Sequence, residues 1–158
     1  MQIIKPPYDL NNLTDDQFKV FLAGGLKSKW REELVRYLEQ MDLEHLVVID
    51  PTVDDWQNAV GEEIASNPKF VKQTDWEQEG LRVSDYQVFN FDASTISPIT
   101  LLEFGMNMSD TTLICLRDGY EKGGHIEYMA RRHSLPIERS SKGIASLISI
   151  KYHLRSKV

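Results

Sequence analysis

The chain has 158 residues, of which 41% are hydrophobic and 27% charged, a composition typical of a globular protein with one domain. Its formal charge of −6 argues against a nucleic-acid-coating surface, because such surfaces need clustered Lys and Arg. No apolar run approaches the ~18 residues that span a bilayer, and the first residues lack the apolar core of a signal peptide. We therefore expect a single cytoplasmic domain over 1–158, with neither a membrane nor a nucleic-acid polymer as its partner.

Short apolar runs alternate with segments of helical periodicity, which predicts a layered α/β fold. The runs that predict strands are 18–23, 45–49, 86–91, 111–116 and a short one near 136–137. The segments that predict helices are 29–41, 74–83, 98–107, 125–133 and 141–154. Ser28 is expected to cap the first helix, and residues 51–72, which include Trp56, predict a long loop with some helix. This order predicts a flavodoxin-like (Rossmann-like) three-layer sandwich with a mainly parallel five-stranded sheet, and a ligand beyond the carboxyl ends of the strands.

Residues that often carry metal or thiol chemistry are sparse in this chain. The single cysteine, Cys115, lies within an apolar run and has no adjoining basic residue, so we expect a buried thiol in a reducing compartment. The four histidines show no His-x-x-x-His spacing, and no Cys-x-x-Cys is present. Neither a metal site nor a cofactor is therefore expected.

Three segments near predicted strand ends carry groups suited to a small polar ligand. Gly24 and Gly25 follow the first strand, where a ligand can approach the bare backbone; a plain turn is the alternative. Trp76 and Glu77 precede the third strand, and Trp76 suits stacking on a base; the alternative is an acidic first helical turn favoured by the helix dipole. Glu103 lies in an otherwise apolar helix. If it is buried, its carboxylate needs a partner or a role in a pocket; the alternative is that it faces solvent.

Several sequence blocks occur together in an order that is shared with a known family. They are FLAGG at 21–25, Asp50-Pro51, Trp76-Glu77 with Gly80-Leu81, Ser84-Asp85, ITLLEFG at 99–105 and KGGHIE at 122–127. In these blocks, which span about residues 18 to 137, the chain resembles the nucleoside 2-deoxyribosyltransferase-like family. The resemblance implies an enzyme that cleaves the N-glycosidic bond of (deoxy)nucleosides or nucleoside 5′-monophosphates and passes the sugar to another base or to water.

The resemblance also implies a role for each matching residue. Glu103 matches the family's nucleophile, and Glu77 matches the acidic residue that handles the proton of the departing or arriving base. The residues implied to bind substrate are Gly24, Gly25, Leu26, Asp50, Trp76, Asp92, Ser97 and His125. Because the family's sites are often completed across a subunit contact, the resemblance further implies a homo-oligomer with a small-molecule nucleoside or nucleotide as its substrate.

Some positions depart from the family's pattern. Phe21 stands where transferases carry a Tyr whose hydroxyl helps to hold the nucleophile. Ser97 stands where transferases carry an Asp for the sugar 5′-hydroxyl, and related nucleotide hydrolases use a Ser there to accept a 5′-phosphate. His125 replaces an Asn, and it either contacts a different substrate group or caps its loop. Two further functions stay open: a non-catalytic nucleotide-binding module, and a hydrolase of an NAD-like N-glycosidic bond.

Overall fold

The computed structural model describes residues 1–53 and 66–155. Its strands are β1 (Gln2–Ile4), β2 (Phe18–Gly24), β3 (Leu46–Ile49), β4 (Tyr86–Phe91), β5 (Thr112–Leu116) and β6 (Ile137–Glu138). Its helices are α1 (Trp30–Glu39), α2 (Pro68–Val83), α3 (Pro98–Asn107), α4 (Gly123–Arg132) and α5 (Ser141–Arg155). Across these two ranges, none of the helices combines the length and the apolar character that crossing a membrane requires.

The six strands of the described residues form one sheet in the order β1-β3-β2-β4-β5-β6, and all neighbouring strands are parallel. From β2 the chain moves to β3 on one side and then crosses to β4 on the other. This is the strand order of a flavodoxin-like fold with one strand added beside β3, and it confirms the predicted fold class. Ligands of such sheets bind beyond the carboxyl ends of the strands, where the direction of winding reverses.

The sheet has six strands and not the predicted five, because the N-terminal segment forms β1. This strand has three residues and pairs with β3, with Ile4 opposite Ile49. Ile4 is the one buried residue of β1. A segment this short shows too little alternation between apolar and polar residues to predict a strand.

Helices cover both faces of the sheet, which gives the three expected layers. The buried side chains of α1 and α5 share one core with Val20 and Leu22 of β2. Those of α2, α3 and α4 share the other core with Phe21 and Ala23 of the same strand. Because both faces are covered, the segment from Val20 to Ala23 of β2 is a continuous apolar run and not an alternating one. Cys115 of β5 is buried, as predicted, and burial raises the pKa of its thiol to about 11.

The first helix begins without the cap that the sequence predicts. Helix α1 begins at Trp30, and no side-chain cap bonds to its first turn. The Ser28 hydroxyl instead donates a hydrogen bond of 2.7 Å to the carboxylate of Asp92, which follows β4. The prediction of Ser28 as a helix cap is therefore wrong, because a partner distant in sequence takes its hydroxyl.

The second helix is longer than the sequence predicts. It begins at Pro68 and not near Thr74, and the Asn67 side chain caps it by accepting a hydrogen bond of 3.1 Å from the Phe70 N–H. Residues 68–72 are therefore helical within the segment that was predicted as a long loop with some helix. The part of the predicted loop that contains Trp56 lies outside the described residues.

Candidate functional site

A buried arginine, Arg31, lies in the first turn of α1 and contacts the carboxyl end of β2. Only 9% of Arg31 is exposed. Its guanidinium donates hydrogen bonds to three backbone carbonyls, those of Leu22 at 3.2 Å, Gly24 at 2.8 Å and Gly25 at 2.9 Å. Its Nε lies 3.3 Å from Oδ1 of Asp50, the residue that follows β3. Arg31 therefore joins the ends of two neighbouring strands.

Arg31 is the positive centre of an acidic cluster. Burial lowers the pKa of Arg31 to about 10, while the charges of Asp50, Glu103, Glu77 and Asp92 act in the opposite direction. These carboxylates come from α2, α3 and the segments after β3 and β4, so the fold brings them together from distant parts of the sequence. A pKa near 10 leaves the guanidinium charged at neutral pH.

Glu103 faces the interior of the protein, so the alternative of a solvent-facing carboxylate is wrong. Helix α3 buries Thr100, Glu103 and Phe104, which lie on one face at helical spacing. The Phe104 ring packs edge-to-face against Phe89 and Phe91 of β4. This packing turns the Glu103 face of α3 toward the sheet, and only 7% of Glu103 is exposed.

Glu77 joins the same cluster from α2. Its Oε1 accepts a hydrogen bond of 2.8 Å from the Gln73 amide, which also donates to the Pro51 carbonyl at 2.8 Å. Burial raises the pKa of Glu77, although the Gln73 hydrogen bond and the charge of Arg31 oppose the rise. Glu77 lies in the middle of α2, so the alternative of an acidic first turn is wrong.

Glu103 and Glu77 form an electrostatically coupled pair. Burial raises the pKa of Glu103 to about 7; the charge of Glu77 adds to this rise, and Arg31 opposes it. Two carboxyls that repel each other in a poorly solvated place release their protons in separate steps. We therefore expect the pair to hold one carboxylate and one carboxylic acid over a range of pH.

Asp50 has both carboxylate oxygens engaged. Oδ1 accepts a hydrogen bond of 3.1 Å from the Thr52 N–H, and Oδ2 accepts one of 3.0 Å from the Thr52 hydroxyl. Oδ2 also lies 3.3 Å from the Lys5 ammonium, and Oδ1 faces Arg31. In this structure Asp50 holds Arg31, and its contact with substrate stays a prediction.

The Gly24–Gly25 turn packs too closely to carry side chains. A Cβ on Gly25 would lie 2.7 Å from Oγ of Ser97 and would also overlap Thr95, and a Cβ on Gly24 would lie 2.7 Å from the Trp30 ring. Ser97 directly precedes α3 with a left-handed φ of 49°, and its N–H donates to Oγ1 of Thr95 at 3.2 Å. The structure therefore brings the predicted glycine turn and the predicted Ser97 into contact.

Asp92 lies after β4 and accepts several hydrogen bonds. Its donors are the Asn90 amide at 2.9 Å, the Ser28 hydroxyl at 2.7 Å, and both the N–H and the hydroxyl of Ser94. Burial acts to raise the pKa of Asp92, but the hydrogen bonds from Ser94, Ser28 and Asn90 outweigh it and hold that pKa below its ordinary value. Asp92 is therefore an anion at neutral pH.

A small cleft of about 120 Å³ opens beside Asp92. The residues that line it are Asp92, Ala93, Thr95, Ile96, Gly119, Tyr120 and Glu121. The Tyr120 hydroxyl donates to the Ile96 carbonyl at 2.8 Å and so joins the segments that follow β4 and β5. The cleft thus lies beyond the carboxyl ends of these strands, at the edge where a flavodoxin-like fold binds its ligand.

Three predicted binding residues lie apart from the hydrogen-bonded cluster. Leu26 and His125 are exposed, and the Trp76 indole N–H donates to the Tyr8 carbonyl at 2.8 Å. Among the residues that the structure describes, none of these three side chains hydrogen-bonds to the acidic groups around Arg31. Trp76 anchors the N-terminal segment to α2, and the contacts of all three with substrate stay predictions.

Two residues of the cluster, Arg31 and Gln73, were absent from the sequence-based candidates. Arg31 shares a helical face with the buried Leu34 and Leu38, at positions i, i+3 and i+7. A charge on the apolar face of a predicted helix is a signal that marks a residue with a buried partner. Gln73 carries no such signal, because it lies just before the predicted start of the helix at 74.

Comparisons with known proteins agree with this fold and extend the assignment. The chain is similar to the crystal structure of a conserved protein from Enterococcus faecalis V583, with a TM-score of 0.53 and 18% identity over 85% of this chain and 99% of that one. At this identity the likeness shows the fold alone. A search of curated proteins finds no match. The family model described as nucleoside 2-deoxyribosyltransferase like matches residues 17–120, which is more than half of the chain and includes the glycine turn, Glu77 and Glu103. The chain therefore belongs to the nucleoside 2-deoxyribosyltransferase-like family.

Proposed function

We propose that the protein cleaves the N-glycosidic bond of (deoxy)nucleosides or nucleoside 5′-monophosphates and passes the sugar to another base or to water. The observation that carries this proposal is the coupled pair of buried carboxyls, Glu103 and Glu77, beside the charge of Arg31. The family supports the same reaction class, because its description names deoxyribosyl transfer. The whole chain, 1–158, is proposed to act as one domain.

The proposed reaction has two steps that use the two carboxyls differently. N-glycosidic bonds break through an oxocarbenium-like state, as in retaining glycoside hydrolysis. In the first step the Glu103 carboxylate bonds to C1′ while the C1′–N bond breaks, and Glu77 gives its proton to the departing nitrogen. In the second step an incoming base or water gives a proton to Glu77 and bonds to C1′, which releases Glu103. Both side chains are then restored to their starting forms.

The proposed reaction needs the two carboxyls in different protonation states. A nucleophile must be ionised, whereas a general acid must hold a proton. With a pKa of about 7, Glu103 is ionised in roughly half of the molecules at neutral pH. Burial also raises the pKa of Glu77. The charge of Glu77 raises the pKa of Glu103, so Glu77 releases its proton first in the free protein, and the proposed reaction requires the remaining proton to lie on Glu77 when Glu103 attacks C1′.

The charge of the cleft beside Asp92 favours an uncharged sugar over a phosphate. Asp92 stays ionised beside the cleft, and Glu121 also lines it. A carboxylate accepts a hydrogen bond from a sugar hydroxyl but repels a phosphate. We therefore propose nucleosides as the preferred substrates, with 5′-monophosphates accepted less well at this end of the cleft.

Product analysis tests the proposed function. A pool of nucleosides and nucleoside 5′-monophosphates is incubated with the protein and one free base, and the products are separated by chromatography. New nucleosides indicate transfer, and free sugar indicates hydrolysis. Glu103→Gln is expected to abolish both, whereas Glu79→Gln, a change at a glutamate that pairs with Arg82, is expected to leave both intact. Equal rates for Glu103→Gln and the unchanged protein would refute the proposal.

A second candidate is a nucleotide-binding module without turnover, and Phe21 favours it. The Phe21 side chain is fully buried, and its ring packs so closely on Gly80 of α2 that a Cβ there would lie 2.8 Å from it. It offers no hydroxyl to a neighbouring carboxylate. Thermal stabilisation by nucleotides, combined with no base release at high protein concentration, would favour this candidate over the enzyme.

Self-association is proposed on the same family basis, and the outer face of α3 supports it. Ile99, Leu102 and Met106 lie along this face at helical spacing and are exposed, as is Ile96 just before the helix. Contiguous apolar surface of this kind often marks a protein interface. We propose that a second copy of the chain covers the outer face of α3.

A further inference from the structure

The buried guanidinium of Arg31 makes hydrogen bonds that core packing alone does not require. Its three terminal hydrogen bonds all go to backbone carbonyls of one short stretch, Leu22 to Gly25. Its Nε is shielded from solvent and has no hydrogen bond, although it lies 3.3 Å from the Asp50 carboxylate. Burying a charge is costly unless it is paired and hydrogen-bonded. The partners of Arg31 are the glycine turn and the carboxyls of the candidate site.

We propose that Arg31 is the positioning residue of the site: it clamps the Gly24–Gly25 turn through the carbonyls of that turn and supplies the positive charge that lets the Glu103 carboxylate act as a nucleophile. This inference rests on the proposed function and names a residue that acts on the reaction through others. It separates into two parts, a geometric one and an electrostatic one, which different substitutions test.

The geometric part follows from the packing of the turn. The carbonyls of Gly24 and Gly25 point to Arg31, while the Cα of Gly25 lies against Thr95 and Ser97. The turn is therefore held between the guanidinium and the segment that leads into α3. A lysine at this position keeps the charge, but its single ammonium cannot reproduce the planar fork that serves several carbonyls. Replacement by Lys is thus expected to loosen the turn and weaken substrate binding.

The electrostatic part follows from the charges that act on Glu103. Within the described residues these are Glu77 from α2, which raises the pKa of Glu103, and Arg31 from α1, which lowers it. Arg31 is also the positive charge that lowers the pKa of Glu77. Removing the charge of Arg31 therefore raises the pKa of Glu103 above about 7 and leaves less carboxylate at neutral pH.

The test uses the full chain with two substitutions, Arg31→Met and Arg31→Lys, and a matched control, Arg117→Met. Arg117 is a partly buried arginine that pairs with Glu33 at 2.9 Å and exerts none of the charge effects on Glu103. The first measurement is a carbon-13 NMR titration of labelled glutamate side chains, which reports the pKa of Glu103 without any substrate. The second is the pH profile of kcat/KM for base release from a nucleoside.

Arg31→Met is expected to raise the pKa of Glu103 and to shift the acidic limb of the kcat/KM profile to higher pH by the same amount. A rise of one pKa unit lowers kcat/KM about tenfold below pH 7. Arg31→Lys is expected to keep that limb in place and to raise KM more than it lowers kcat. Arg117→Met is expected to leave the titration of Glu103 unchanged.

Two results overturn the proposal. The first is a folded Arg31→Met protein with an unshifted Glu103 titration. The second is an Arg31→Lys protein with unchanged KM and kcat. If Arg31→Met does not fold, Arg31→Lys decides the question, and if neither folds, Arg31 is a structural residue only. Failure of the proposed function itself looks different: the unchanged protein releases no base, while the NMR titration still reports on Arg31.

Discussion

Replacing Glu103 with Gln is expected to stabilise the folded protein at alkaline pH while it abolishes activity. The Glu103 carboxyl is buried, and within the described residues its side chain accepts no hydrogen bond, since only its backbone carbonyl has a partner, Asn107. The amide of Gln has nearly the same shape and no charge. The substitution therefore removes the cost of ionising a buried group and breaks no hydrogen bond of the carboxyl.

The size of this effect follows from the pKa of Glu103, which burial raises from an ordinary value of 4.5 to about 7. One unit of pKa difference corresponds to about 1.4 kcal/mol, so the full difference amounts to about 3 kcal/mol. Below its ordinary pKa, Glu103 is protonated in both the folded and the unfolded chain and costs nothing. As the pH rises through this window, the unfolded chain loses its proton first, so the fold loses stability until the pH passes the folded pKa.

Urea unfolding of the two proteins, followed by circular dichroism, measures the difference. At about pH 8 the Glu103→Gln protein is expected to be up to about 3 kcal/mol more stable than the unchanged protein, and at about pH 4 the two are expected to agree. The control Glu79→Gln alters an exposed ion pair with Arg82 and is expected to change stability little at either pH. A stability difference for Glu103→Gln that does not vary with pH would contradict the buried, perturbed carboxyl on which the mechanism depends.

Three further predictions concern the other parts of the site and the surface. Glu77→Gln removes the proposed general acid and is expected to lower kcat for base release about 10²- to 10⁴-fold, measured by steady-state kinetics with Glu79→Gln as its control; an unchanged kcat would exclude Glu77 from proton transfer. Gly25→Ala places a Cβ 2.7 Å from Oγ of Ser97, so a loss of about 1–3 kcal/mol in the free energy of unfolding is expected in urea titrations, and a neutral result would mean that the turn is loosely packed. Leu102→Asp places a charge on the outer face of α3 and is expected to convert an oligomer to a monomer in light scattering, whereas a monomeric unchanged protein would remove the proposed role of that face.

The sequence predicts most of this fold because the strands of a covered parallel sheet are continuous apolar runs. The runs that contain β2 and β5 are recognisable from a few adjacent residues, since both faces of each strand are buried. β1 is not recognisable in this way, because just Ile4 of its three residues is buried. Its strand conformation depends on the pairing with β3. Ser28 shows the same limit: its local pattern suits a helix cap, but its hydroxyl finds Asp92 across the fold.

The candidate site was predictable where a residue type is unusual for its surroundings. A glutamate in an apolar helix and a glycine pair after a strand both stand out, and the structure buries Glu103 and packs Gly25 against Ser97. The direction in which Glu103 faces was not predictable, because α3 carries apolar residues on both sides and its periodicity is weak. The role of Arg31 depends on the meeting of β2, β3 and the helices, which no local pattern encodes.

Helix α3 presents Glu103 on its inner side and a row of bare apolar side chains, Leu102 among them, on its outer side. A contact with the outer row would change the rotation of the helix about its long axis. Such a rotation would also move the Glu103 carboxylate, because both belong to the same helix. Displacements of about an ångström in a reacting group can change rates about a hundredfold. If a second copy covers this row as proposed, dilution of the protein is expected to change its specific activity, because the same ten residues carry both the outer row and the carboxylate.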